Sequence, residues 1–267
     1  MILSTVTDEV LTDRSSGAFP RIFETAVKEG VTNFEIRMVE AKRFPLCEAS
    51  AWDRMKKYGD EYGITFSAVS PGLFKPSLYS DLMPLHKNYL ASMSMDLADA
   101  IGVKTLIIFG VERDVKDKQE DFFRVADMMR ETVEMASERG FSVQLENLPG
   151  TWADTTENCL RLMKAVNHPN FGCVWDTGNF YEAEQVHFKE GYERLKPFIR
   201  NVHLKDGRII DGKMHWQHLG LGVTDIKGQI EALKHDGYTG TITLEAKCEP
   251  QMDEDFSASM AYLKSLL

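Results

Sequence analysis

Cysteine is scarce: the 267 residues contain four, Cys47, Cys159, Cys173 and Cys248, with no CxxC pair among them. Nothing points to a disulfide-built scaffold, a chain of this length does not need disulfides to be stable, and the cysteines read as buried packing groups. A reducing compartment is expected. Long apolar runs are missing as well; nowhere do about 18 uncharged apolar residues follow one another, which excludes a spanning helix. The opening MILSTVTDEVLTD has no basic segment and is broken early by Thr5, Thr7 and Asp8, so no secretion signal is expected and a cytoplasmic location is. Basic charge is in deficit, with 31 Lys and Arg against 41 Asp and Glu. The resulting net charge of −10 repels phosphate backbones and anionic membrane surfaces, so neither nucleic acid nor membrane is an expected partner. No GxGxxG or GxxxxGK[ST] opens a helix, which removes the dinucleotide and nucleotide phosphate cradles. No Ser/Pro-rich linker or low-complexity tract divides the chain, so one domain is expected over residues 1–267.

What the sequence does hold is an alternation. Eight short β-branched or aromatic runs occur at 3–9, 31–37, 64–70, 103–110, 141–147, 171–177, 199–206 and 240–246. Between and after them lie segments with apolar residues three and four apart, at 19–28, 47–61, 82–100, 118–138, 155–166, 188–195, 225–234 and 256–266. Gly30, Gly63, Gly102, Gly140 and Gly237 stand where helices must end before the next strand. Eight units of about 33 residues match the size of a βα repeat. An open doubly wound sheet would need a Gly-rich turn after its first strand, where this chain reads DEVLTDRSSG. The predicted fold is therefore α/β, a closed (β/α)8 TIM barrel, whose typical length is about 250 residues.

Parity along the strands then places the polar groups. In 142–146 Val143 and Leu145 face outward while Ser142, Gln144 and Glu146 share the other side; in 201–205 Val202 and Leu204 oppose Asn201, His203 and Lys205. The last strand sends Thr241, Thr243, Glu245 and Lys247 inward, and the second sends Asn33, Glu35 and Arg37. Each charged group falls at the C-terminal end of its strand, the rim on which barrel enzymes build their sites. The sixth strand adds Asp176 at its end. Buried carboxylates need compensation. Glu146, Asp176, His203 and Glu245, three carboxylates and an imidazole from four consecutive strands, suit a divalent cation of the Mn²⁺ or Mg²⁺ type, with Zn²⁺ and Co²⁺ also compatible. Four protein ligands on a six-coordinate ion leave about two positions for adjacent substrate oxygens. Ion pairing with Lys205, Lys247, Arg37 and Arg208, without a metal, is the competing account of the same carboxylates.

With these residues placed, the sequence resembles the xylose isomerase-like TIM-barrel superfamily, in particular its sugar phosphate isomerase/epimerase branch. The resemblance spans essentially the whole chain and is carried by LEN (145–147), WDTGN (175–179), VHLKD (202–206), HLGLG (218–222) and TLEAK (243–247), with TDE near the start. It implies that Glu146, Asp176, His203 and Glu245 bind the metal and that Glu146 and Glu245 also act as acid and base. It further implies substrate contacts at Asn179, where many relatives carry histidine, and at Arg208. Asparagine can hydrogen-bond a hydroxyl but cannot carry a proton charge. Trp152 stands where epimerases of the branch carry a glutamate, and Leu221 where an acid is common. Trp152 and Trp216 could form an apolar wall for a sugar. Glu112, just past the fourth strand, and Lys247, two residues after Glu245, complete the candidate substrate-binding residues.

The expected function is a metal-dependent isomerase or epimerase of a ketose or related keto sugar, working by proton abstraction beside a carbonyl through an enediolate, with manganese the first choice of metal. The alternative ends in β-elimination, a lyase or dehydratase acting on a keto sugar or inosose. An endonuclease IV-like nuclease would need a multi-zinc cluster with more histidines, and a non-catalytic sugar-binding barrel would not need Glu146 and Glu245. A homo-oligomer, dimer or tetramer, is implied by the resemblance alone.

Overall fold

A computed structural model describes residues 1–246 and 252–267; the candidate Lys247 and Cys248 lie outside the described residues. Eight parallel strands close into a barrel: β1 (Ile2–Val6), β2 (Asn33–Ile36), β3 (Thr65–Leu73), β4 (Thr105–Phe109), β5 (Ser142–Glu146), β6 (Phe171–Asp176), β7 (Ile199–Leu204) and β8 (Thr241–Leu244). They are joined in chain order, and β8 pairs with β1 through Ile2 opposite Thr241 and Thr5 opposite Leu244. Helices cover the outside, α1 (Phe19–Lys28), α2 (Ala49–Tyr62), α3 (Ala91–Asp99), α4 (Asp121–Glu138), α5 (Thr156–Val166), α6 (Thr177–Glu184), α7 (Phe188–Leu195), α8 (Ile226–His235) and α9 (Met252–Leu266). The predicted closed barrel is the fold observed.

The amphipathic spacing that marks the helices buries one stripe of each, such as Phe19, Ile22, Phe23 and Ala26 of α1. The five glycines expected to end helices all adopt positive φ, between 66° and 75°. Outward strand residues pack under these stripes. Trp175, for example, meets Phe180 at 4.5 Å and Tyr192 edge-on at 5.8 Å, and its Nε1 donates to Gln229 Oε1 at 2.7 Å. Inside the barrel, Ala68, Ile107 and Val174 form a separate apolar cluster. Each large aliphatic side chain in such a plug contributes about 1.5–3 kcal/mol by leaving water, and together they floor the polar mouth above.

Four features were absent from the sequence reading. A two-stranded hairpin, Met38–Val39 with Lys42–Arg43, follows β2; a second, Asp206–Ile210 with Lys213–Gln217, follows β7. The segment 82–100 is helical but passes through a π turn at His86–Leu90. The extra helix α6 begins directly on Asp176, whose side chain caps it by accepting from Asn179 N at 2.9 Å.

Candidate active site

Barrel register aligns the strand ends. Asp176 sits opposite His203 across the β6–β7 pair, and Thr243 opposite His203 across β7–β8, so their inward side chains share one level. Glu146 ends β5 and Glu245 follows β8, its N–H bonded to Leu204 O at 3.1 Å. The result is a cluster in which one ligand atom each from Glu146, Asp176, His203 and Glu245 lie within 4.8 Å of one another, all buried. The four candidates proposed from strand parity are thus brought together.

The surrounding groups explain how such a cluster survives. His203 points Nδ1 at the carboxylates, 3.1 Å from Glu245 Oε2, 3.7 Å from Glu146 Oε1 and 4.0 Å from Asp176 Oδ2. Its Nε2 lies 2.8 Å from Glu35 Oε2, and Glu35 Oε1 accepts from Asn201 Nδ2 at 2.6 Å and Thr243 Oγ1 at 2.5 Å. A ring clamped by a hydrogen-bonded carboxylate behind and open toward acids in front is the arrangement of a metal-ligating histidine. Lys205, with no exposed surface, places Nζ 2.6 Å from Asp176 Oδ2, 2.9 Å from Glu245 Oε2 and 3.9 Å from Glu146 Oε1. Arg37 Nη1 holds Glu245 Oε1 at 2.5 Å, while its other nitrogens are engaged by Asp8 and Glu9.

Three carboxylates therefore share one ammonium, part of one guanidinium and the His203 ring, which Glu35 also holds. Asp176 Oδ2 is buried against the Lys205 ammonium. Burial, reinforced by Glu245 and Glu146 and only partly offset by Lys205, pushes its carboxyl up to about 6. Burial also opposes the charge of Glu146, but His203 beside it outweighs this and holds its carboxyl below the ordinary glutamate range. The His203 imidazole resists burial yet is driven well above its usual value by Glu35 and Glu146. Three carboxylates and one imidazole converging on one buried point fit a divalent cation, which would take over the charge balance now shared by Lys205 and His203.

Two predictions arise here. Substituting Glu35 by Gln is expected to weaken Mn²⁺ binding about tenfold to a hundredfold without touching a ligand, because the imidazole loses its orienting charge. Titration calorimetry checks this, and wild-type affinity would contradict it. Metal uptake needs an ionised Asp176 and a neutral His203, and both groups have raised values, so protons compete with the ion. Affinity should fall with each competing proton by about tenfold per pH unit, from higher pH for His203 and below about pH 6 for Asp176, and heats measured in buffers of different ionisation enthalpy should reveal proton release at pH 7.

The other candidates are scattered. Asn179 is buried, with Nδ2 donating to Asn147 O at 2.8 Å and Oδ1 accepting from Lys205 Nζ at 3.3 Å. Asn147 in turn exchanges hydrogen bonds with the Asp176 backbone at 2.9 and 3.2 Å, so LEN and WDTGN are one locked network that orients Asp176. Gly178 permits the lock, since a Cβ there would lie 2.5 Å from Trp216 Cζ3 and 2.6 Å from Lys205 Cβ. Arg208 is exposed on the second hairpin, bound to Gln217 Oε1 at 3.0 Å and to Leu221 O. Trp152 is buried against Phe122, beneath Arg113, and Glu112 is exposed. The HLGLG loop is organised by Asp206, which accepts from the N–H groups of Gly220, Gly222 and Thr224 at 2.9, 3.0 and 3.1 Å. A Cβ on Gly222 would fall 1.9 Å from Asp206 Oδ1, so this loop turns on a glycine, while Leu221 points to solvent.

A cavity of about 240 Å³ opens onto Glu146, His203 and Glu245, and is lined also by Asp8, Glu35, Arg37, Arg43, Ser70, Lys75 and Phe109. Arg43, Ser70 and Lys75 were not singled out from the sequence. The first sits on a two-residue strand and the last follows β3, places where no periodicity signals orientation. A roomier cavity of about 520 Å³ lies among α6, α7 and the start of α8, and none of the four clustered groups lines it. Among the described residues no helix is long and apolar enough to cross a membrane.

Comparison with known proteins agrees with the geometry. Inosose dehydratase of Serratia proteamaculans is 30% identical over 195 residues, 64% of this chain and 64% of that protein. Inosose dehydratase of Geobacillus thermodenitrificans is 27% identical over 157 residues, 53% of this chain and 52% of that one. The chain thus spans less than two thirds of the length of the curated relatives it matches. Among solved structures, D-allulose 3-epimerase from Methylomonas sp. in complex with D-allulose superposes with a TM-score of 0.80 at 16% identity, covering 100% of this chain and 97% of that one. The probable 3-DHS dehydratase from Bacillus anthracis gives 0.79 at 19% identity, covering 99% of each. The xylose isomerase-like TIM barrel model matches residues 23–266, and with the closed barrel and its rim cluster this establishes that the chain belongs to that family.

Proposed function

We propose that the protein is a divalent-metal-dependent enzyme that removes a proton from the carbon beside the carbonyl of a keto sugar and returns one to the neighbouring carbon, as an isomerase, or to the opposite face of the same carbon, as an epimerase. The observation that carries this reading is that two carboxylates, Glu146 and Glu245, line one small cavity beside a cluster able to hold a divalent ion. A divalent ion held by Glu146, Asp176, His203 and Glu245 would supply Lewis-acid stabilisation of the enediolate charge, worth several kcal/mol.

The chain's own residues divide the remaining work. Glu146 has the looser contacts, 3.7 Å from His203 and 3.9 Å from Lys205, and is the carboxylate assigned to take the proton on an oxygen. Glu245 is fixed by Arg37 through Oε1 and by Lys205 and His203 through Oε2; a proton taken from the Lys205 ammonium 2.9 Å away would let it return one from a set direction. Lys205 adds positive charge within the cluster, where burial strengthens every electrostatic contact.

A second reading keeps the first step and ends in loss of water; it is favoured by the inosose dehydratases among the relatives. A panel of ketoses and inososes incubated in D₂O with Mn²⁺ tests both. Deuterium at one carbon of an isomer with the mass expected for exchange supports isomerisation or epimerisation, and a product lighter by one water supports elimination. Absence of both exchange and product across the panel would contradict proton abstraction.

A further inference from the structure

Two cations at the barrel mouth have no part in the chemistry above. Arg43, at the end of the first hairpin, and Lys75, just past β3, line the same 240 Å³ cavity as Glu146 and Glu245. Arg43 Nη2 reaches Ser70 Oγ at 3.3 Å, and its Nε–H is buried with no acceptor. Lys75 comes in from the exposed rim and sets Nζ 4.2 Å from the centre of the Phe109 ring. Among the described residues neither cation forms an ion pair with a carboxylate, whereas Arg37 and Lys205 each bind several. Burial and the neighbouring Arg37 pull Arg43 down to about 10, against the opposing pull of Asp8, Glu146 and Glu245. A buried guanidinium N–H left without an acceptor carries a cost that an arriving anion removes.

We infer that the substrate carries a carboxylate, held by Arg43 and Lys75, so that the cavity takes a keto sugar acid in preference to a neutral keto sugar. This rests on the proton-abstraction reading and narrows its substrate class. The cavity is then two-sided, with the acidic cluster taking a cation and the basic side an anion. A carboxylate suits it better than a phosphate, because the planar guanidinium fork matches two coplanar oxygens and the volume is small for a phosphorylated sugar.

The test uses the full chain loaded with Mn²⁺ and two ligands that differ at one carbon, D-fructose and D-fructuronate, with D-fructose 6-phosphate as a third. Titration calorimetry should show the acid binding at least about tenfold more tightly than the sugar, with no gain for the phosphate. Arg43→Gln and Lys75→Gln should each remove most of the acid's advantage. Lys75 stands at the rim, so its substitution guards against a misfolded Arg43 variant. Equal affinity for acid and sugar, an advantage surviving both substitutions, or tighter binding of the phosphate would overturn the inference. Deuterium exchange on the same ligands separates the two layers. Exchange without preference for the acid sinks the carboxylate site alone; a preference that depends on Arg43 and Lys75, without exchange on any ligand, sinks proton abstraction alone.

Discussion

Substituting Glu146 by Gln should lower deuterium exchange into a turned-over keto sugar by about a thousandfold, within the range contributed by a positioned general base. The amide fills the same volume and can still offer an oxygen to an ion, but it cannot accept the proton. Because Glu146 is both a candidate ligand and the proposed base, exchange must be compared at saturating Mn²⁺, so that lost metal is not mistaken for lost proton transfer. Exchange at the wild-type rate would remove Glu146 from its role, leaving Glu245 as the remaining carboxylate on the cavity.

Substituting Lys205 by Met is expected to have the largest effect on stability. Its ammonium lies 2.6 Å from Asp176 and 2.9 Å from Glu245, with no exposed surface, and an apolar replacement leaves those carboxylates facing one another. Breaking a buried ion pair from one side costs about 3–5 kcal/mol, which for a chain of this size is about 10 °C in melting temperature. Mn²⁺ should recover most of that loss and raise the variant's Tm by more than it raises the wild type's, since ion and ammonium neutralise the same oxygens. A metal-free variant that melts with the wild type would show that Lys205 is not what balances the cluster.

The barrel was legible because its signals are periodic. Alternation in 142–146, 201–205 and 241–245 separates Val143, Leu145, Val202, Leu204, Ile242 and Leu244 from the inward set, and the structure buries all six. Strand-end position then identified the four clustered groups, which the family resemblance also names. Less legible was what each polar group does once inside. Glu35 has the right parity, but that it backs His203 through Nε2 rather than joining the ligands depends on its place across the barrel, which a single strand does not reveal. Lys205 was read as a charge partner without its place between Asp176 and Glu245. Helix α6 has eight residues, too few for a clear stripe, and its start is set by Asp176 acting as a cap. Arg43 and Lys75 come from a short hairpin and a strand end, where orientation is decided by tertiary packing alone.

All of this depends on the four rim side chains holding one ion. The most direct measurement is anomalous diffraction at the manganese edge from crystals of the full chain grown with Mn²⁺. A single strong peak bounded by Glu146, Asp176, His203 and Glu245, with the Lys205 ammonium displaced from between the carboxylates, is the result expected. No peak there at saturating manganese, with Lys205 still seated on Asp176 and Glu245, would mean that the ammonium is the cation this cluster was built for.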